Sequence, residues 1–172
     1  MTDRTARQKR ISLLSRRNSG RDATPAFLEE ASATLGESVT RSNLIGLEDT
    51  DRLMERRDEG YRSLIEDPAS GYRRLFVPEE SITVYSLADR LADALAAEPV
   101  FWLTKMSDIV GAIRVPAVAL LRHTASVIRI DGDSVHALSE DGQEGLLIDS
   151  NPDDLVEAFE IAVWGKRWPN LI

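Results

Sequence analysis

The apolar positions of the chain fall first into helical spacing and later into strand-like runs. Phe27, Leu28, Ala31 and Leu35 share one helical face. Thr24 is placed to cap that helix, Pro25 suits its first position, and Gly36 suits its stop. Leu53, Met54, Arg57, Tyr61, Leu64 and Ile65 form a second stripe, from a cap at Asp49 or Thr50 to Asp67-Pro68. Arg57 fits this stripe by snorkelling, and Gly60 interrupts it. Leu75–Val77 and Ile82–Tyr85 are short runs with strand propensity. Ser86 then heads a helix in which Leu87, Leu91 and Leu95 recur every four residues, with alanines between them that permit close packing. Val100–Thr104 is apolar without alternation, the pattern of a strand buried on both faces. A short helical turn is expected through Ile109, Val110 and Ile113. Another helix is expected from Pro116 to about Thr124.

Val127–Asn151 reads as three short strands joined by tight turns at Asp131-Gly132-Asp133 and Asp141-Gly142, because glycine supplies the positive φ such turns require. Asp149, Ser150 and Asn151 stop the last strand. Pro152 is expected to open a final helix whose positive end Asp153, Asp154 and Glu157 complement. Trp164-Gly165 ends it, and Trp168, Leu171 and Ile172 are expected to pack back on the body. The pattern predicts an α+β fold: N-terminal helices, a small, mainly antiparallel sheet packed by helices, and a C-terminal helix. Residues 1–22 lack apolar periodicity beyond Ile11, Leu13 and Leu14 and are expected to be a mobile basic arm, dispensable for folding. Residues 23–172 form one domain, with a helical part at 23–70 and the sheet-containing core at 71–172.

At 172 residues the chain suits one domain with an appendage. No apolar run is long enough to span a membrane, and the basic N-terminus lacks the apolar core of a secretory signal. The absence of cysteine excludes disulfides and thiolate chemistry and suits a reducing cytoplasm. The net charge of −8 is unevenly spread. Bases dominate up to Arg21, whereas from Asp131 to Glu160 no Lys or Arg interrupts a succession of carboxylates. Such a surface repels nucleic acid and steers a basic protein partner; alternatively it is a solvated face that aids solubility. The basic arm is at most a weak nucleic-acid contact, since it carries no aromatic residue.

Candidate chemistry is sparse. His123 and His136 are the only histidines, and neither has the paired spacing of a metal site. The Asp131-Gly132-Asp133 turn fails the calcium-loop pattern, since its fifth and twelfth positions are Val135 and Gly142. Asp149 stands where catalytic carboxylates often sit, but also where an Asx turn is ordinary. No nucleophile elbow, dinucleotide-binding glycine motif or phosphate loop occurs. No catalytic residue, metal or cofactor is expected.

The segments Phe101-Trp102-Leu103, Ile130-Asp131-Gly132-Asp133, Gly145-Leu146-Leu147-Ile148-Asp149 and Ala162-Val163-Trp164-Gly165-Lys166-Arg167-Trp168 together resemble small bacterial immunity proteins. These are the cytosolic antitoxins of polymorphic toxin and contact-dependent inhibition systems. The resemblance covers about half of the chain and leaves the N-terminal helices unmatched. It implies a non-enzymatic inhibitor that places acidic side chains on the basic active-site surface of a cognate toxin such as a nuclease. The residues it points to are Asp131, Asp133, Asp149, Asp153, Asp154, Glu157, Trp164 and Trp168. A regulator or adaptor using the basic arm, and a small metal-dependent hydrolase using Asp149 and a histidine, are the alternatives.

Overall fold

A computed structural model describes residues 2–152 and 157–172. The chain runs through helices α1 (Thr2–Leu35) and α2 (Leu47–Glu66), strand β1 (Gly71–Phe76), helix α3 (Ser81–Leu95) and strand β2 (Pro99–Leu103). It continues with α4 (Ser107–Val110), β3 (Ile113–Pro116), α5 (Ala117–Leu121) and α6 (Thr124–Asp131). Strands β4 (Ser134–Ser139), β5 (Gly145–Asp149) and β6 (Phe159–Trp164) follow, and a 3-10 turn, Trp168–Leu171, closes the chain. The six strands form one antiparallel sheet in the order β1-β6-β5-β4-β2-β3. The fold is α+β.

Strand alternation divides the sheet's contacts between two cores. Val100, Trp102, Val135, Ala137, Leu146, Ile148, Ile161 and Val163 face a large core with α1, α3, α5 and α6. Their neighbours Leu103, Leu138, Leu147, Ala162 and Trp164 face a smaller core under α2. Helices on both faces explain why strands of this sheet show little polar alternation in sequence.

The final helix expected from Pro152 to Trp164 is overturned: Phe159–Trp164 is the interior strand β6. Its residues are buried on both faces, so the apolar run carries no period, and its Phe, Ile, Val and Trp content favours a strand. The helix-opening residues Asp153 and Asp154 lie outside the described residues. The last helical turn among the described residues is Trp168–Leu171. The first strand of the expected meander is also overturned, since Val127–Ile130 lies in α6. Thr124, Val127, Ile128 and Asp131 are its buried positions, a spacing of three and four that belongs to a helix. Gly132, at φ 104°, ends that helix rather than turning a hairpin. The β4–β5 hairpin and the interior position of β2 match expectation.

Two helices begin earlier than their caps suggest. α3 starts at Ser81, because burying Val84 on the same stripe as Leu87, Leu91 and Leu95 outweighs the strand propensity of Ile82–Tyr85. α1 runs through Thr24-Pro25 without ending there. The boundary drawn at residue 22 is therefore no break. Gly20 lies against the Ile109 carbonyl so closely that a Cβ would stand 2.0 Å from its oxygen. Arg16 makes a two-pronged ion pair with Asp51, at 2.7 and 3.0 Å. The turns before Arg16 carry Ile11 and Leu14, both exposed.

Gly60, an apparent flaw in α2, is where the helix meets the sheet. A Cβ there would lie 2.0 Å from the Trp164 indole nitrogen. Gly145 of β5 approaches the same indole from another side, with its own Cβ position 2.1 Å from Cζ2. The ring therefore has no room to yield. Gly60→Ala should cost about 2–3 kcal/mol through overpacking, despite alanine's better helix propensity. Urea denaturation followed by tryptophan fluorescence checks this; an unchanged or raised midpoint would contradict it.

Candidate functional site

The acidic succession that dominates the sequence is divided by the fold into groups with separate tasks. At one end of the sheet, the loop after α6 meets the end of β5. Ser134 opens β4 directly opposite Asp149, and Asp149 is opposite Glu160 at the start of β6. The Ser150 amide and hydroxyl both donate to the Asp133 carbonyl, at 2.8 and 2.7 Å, which ties the two loops together. The Asn151 amide donates to Asp149 Oδ1 at 2.9 Å, an Asx turn. Asp133 and Glu157 are exposed and Asp149 is half-buried, so three of the expected partner-binding carboxylates gather at this end.

Asp131 belongs to the same end but turns inward. It is 7% exposed and accepts a 2.7 Å hydrogen bond from the Lys105 amide. Burial raises its pKa above the ordinary aspartate value, while that amide and the Lys105 charge act in the opposite direction. Trp164 and Trp168 are buried too, at 4% and 2% exposure, so they serve as core side chains rather than an exposed aromatic patch.

Beneath α2, Glu160 is the buried charge of the sheet, at 3% exposure. It accepts from the Tyr61 hydroxyl at 3.1 and 3.2 Å and is paired with the Arg73 guanidinium. Arg73 also lies 5.8 Å over the Tyr61 ring. The Tyr61 pKa rises, first from burial and then from the neighbouring carboxylate. The Arg73 pKa rises through its hydrogen bond to Glu160. A carboxylate inside an apolar strand needs such partners. The lone charge within Phe159–Trp164 is the sequence signal of this arrangement.

The opposite end of the sheet holds the turn between β4 and β5. Asp141 accepts from the Gln143 amide at 3.0 Å and the Ser139 hydroxyl at 2.7 Å, and the amide bond chiefly depresses its pKa. Glu140 pairs with Arg114 at 2.6 Å. Glu144 is 9% exposed and accepts from the backbone amides of Lys166, Arg167 and Trp168 at 2.8–3.0 Å. Glu144 falls within the acidic succession that reads as a surface in the sequence; its capping of the last turn has no local signature, because its donors lie more than twenty residues away.

Neither histidine is brought into a catalytic arrangement by the described residues. His123 Nδ1 lies 2.8 Å from the Ala119 carbonyl on its own helix turn. His136 sits mid-strand between Leu103 and Leu147, and burial lowers its pKa to about 4. Among the described residues no three His, Asp or Glu side chains are placed to hold a metal ion. No described helix is long and apolar enough to cross a membrane. No family model, curated protein or solved structure matches the chain.

Proposed function

We propose that the chain is a cytoplasmic binding protein of the immunity type, which neutralises a cationic protein partner and has no enzymatic activity of its own. The observation that carries this reading is the gathering of Asp133, Asp149 and Glu157 at one end of the sheet, on loops tied by the Ser150–Asp133 hydrogen bonds. A toxin acting on nucleic acid is cationic around its active site because it must hold phosphates. Carboxylates fixed at one pole speed the encounter with such a surface and occupy it. The acids that fold inward, Asp131, Glu144 and Glu160, contribute little to that pole. The pole is correspondingly narrower than the sequence suggests.

The partner is to be isolated from native cells on the immobilised chain, and association rates then measured across salt concentrations. Wild type should associate more slowly as salt rises. The double charge reversal Asp133→Lys, Glu157→Lys should weaken binding at least about tenfold, the lower bound expected when close charge pairs are inverted. Salt-insensitive association with unchanged affinity in the variant would overturn the acidic pole as the binding surface.

A further inference from the structure

The two edges of the sheet are finished differently. At the β3 edge, Leu44 bridges to Ile113, the Ile45 amide donates to the Ala112 carbonyl at 3.0 Å, and Asn43 Nδ2 donates to the Arg114 carbonyl at 3.0 Å. Residues 43–45 thereby cover it. At the other edge, β6 is the one strand that pairs with β1 among the described residues. Ile65, Leu75, Val77 and Ile82, on or flanking β1 in sequence, are all more than half exposed, while the other large exposed apolar side chains among the described residues, Ile11 and Leu14, lie on α1. A groove of about 340 Å³ runs between the end of α2 and β1, its apolar lining Leu64, Ile65, Pro68, Leu75 and Pro152 and its charged lining Arg73, Arg74 and Glu160. An open edge with apolar surroundings is a template for an added strand.

Charge decides which strand can take it. The middle of β1 is Arg73-Arg74. Directly opposed residues of antiparallel strands share a face, so a two-fold pairing with a second copy must be centred on a single residue. The two registers of longest overlap are centred on Arg73 and on Arg74, and each sets an arginine against itself, which is destabilising. The edge is thus guarded against self-pairing. Arg74 lies 4.9 Å over the Phe76 ring, and Arg73 keeps 42% of its side chain exposed while its guanidinium pairs with Glu160, so Arg74 carries the freer positive charge of the edge. Glu66 and Asp67 precede β1, and Glu79 and Glu80 follow it, which disfavours acids at the ends of an incoming strand.

We infer that the outer edge of β1 is a docking site for an extended segment of another protein, which pairs as an added strand and sets two adjacent carboxylates against Arg73 and Arg74. Apolar side chains flank those carboxylates, one beside Leu75, and the ends of the segment are uncharged. The edge adjoins the acidic pole, since Leu75 and Phe76 pair with Glu160 and Phe159, but the strand pairing rests on β1 alone and stands whether or not that pole binds.

The probe is the blocked peptide acetyl-Thr-Val-Glu-Glu-Val-Thr-amide, whose palindromic order fits either strand direction. It is titrated into the isotope-labelled full chain while backbone amide shifts are followed. Saturable shifts confined to Gly71–Phe76 and its β6 neighbours are expected, and none with the corresponding Lys-Lys peptide. Arg74→Glu leaves an exposed side chain exposed; it should weaken the Glu-Glu peptide roughly tenfold and favour the Lys-Lys peptide instead. Absence of saturable shifts at millimolar peptide would overturn the inference. So would shifts confined to the basic turns of α1, or concentration-dependent self-association through β1 without peptide.

Discussion

Glu144→Ala should lower the stability of the folded chain by about 3 kcal/mol. The side chain accepts from three consecutive backbone amides, those of Lys166, Arg167 and Trp168, at 2.8–3.0 Å. Those amides open the turn that carries Trp168 into the large core. Removing the carboxylate leaves the buried Trp168 amide unpaired, at its own desolvation cost, and takes the acceptor from the part-buried amides of Lys166 and Arg167. The neighbouring backbone is built around the same group. At Gly165, φ 110°, an added Cβ would stand 2.3 Å from Glu144 Oε2. Glu144→Gln keeps one accepting oxygen and should lose about half as much. Thermal unfolding should show Glu144→Ala melting roughly 10 °C below wild type, with Glu144→Gln between them. A melting temperature within two or three degrees of wild type would show that other groups hold the C-terminal turn.

The fold class was legible in the sequence because helix stripes and the β4–β5 hairpin carry local signals. Leu53, Tyr61 and Leu64 announce α2, and Gly142 at φ 68° turns the hairpin as its Asp-Gly pair suggests. What stayed illegible depends on partners distant in the chain. β6 reads as an amphipathic helix until both of its faces are known to be covered. α6 reads as a strand if β-branching is weighed above the spacing of Thr124, Val127, Ile128 and Asp131. Gly60 reads as a helix fault until Trp164, about a hundred residues later, is set against it. The candidate site shows the same limit. The acids are obvious, but whether each one faces solvent or a backbone amide is decided by tertiary contacts. Asp133 and Glu157 remain on the surface, whereas Asp131, Glu144 and Glu160 are internal acceptors. Edge exposure was equally hidden, since nothing within Gly71–Phe76 says that β6 pairs on one side and no described strand on the other.

The chain should lose stability as pH falls from about 6.5 towards 4, by roughly 3 kcal/mol, through His136 alone. The ring lies in β4, opposite Leu103 on one side and Leu147 on the other. Its Nδ1 is buried with no hydrogen-bond partner among the described residues. Burial is the main reason its pKa drops to about 4, and the Arg57 charge lowers it further, against smaller opposing effects of Asp58 and Asp133. In the unfolded chain the imidazole takes up its proton near pH 6.5, whereas in the folded chain it resists until about 4. Between those values the unfolded state binds more protons, so stability is fully present above the unfolded pKa and drains away as pH falls through the window. Asp131 acts in the opposite sense. Its folded pKa is raised, so its proton uptake favours the folded state in more acid solution and offsets part of the loss. Replacing the ring separates the two. His136→Leu places an apolar side chain between two leucines, so its stability should no longer fall between pH 6.5 and 4 on account of this position. Urea unfolding at several pH values tests the difference between wild type and variant. Parallel pH profiles for the two proteins would show that His136 is protonated as readily in the folded chain as in the unfolded one, and that the strand admits its charge.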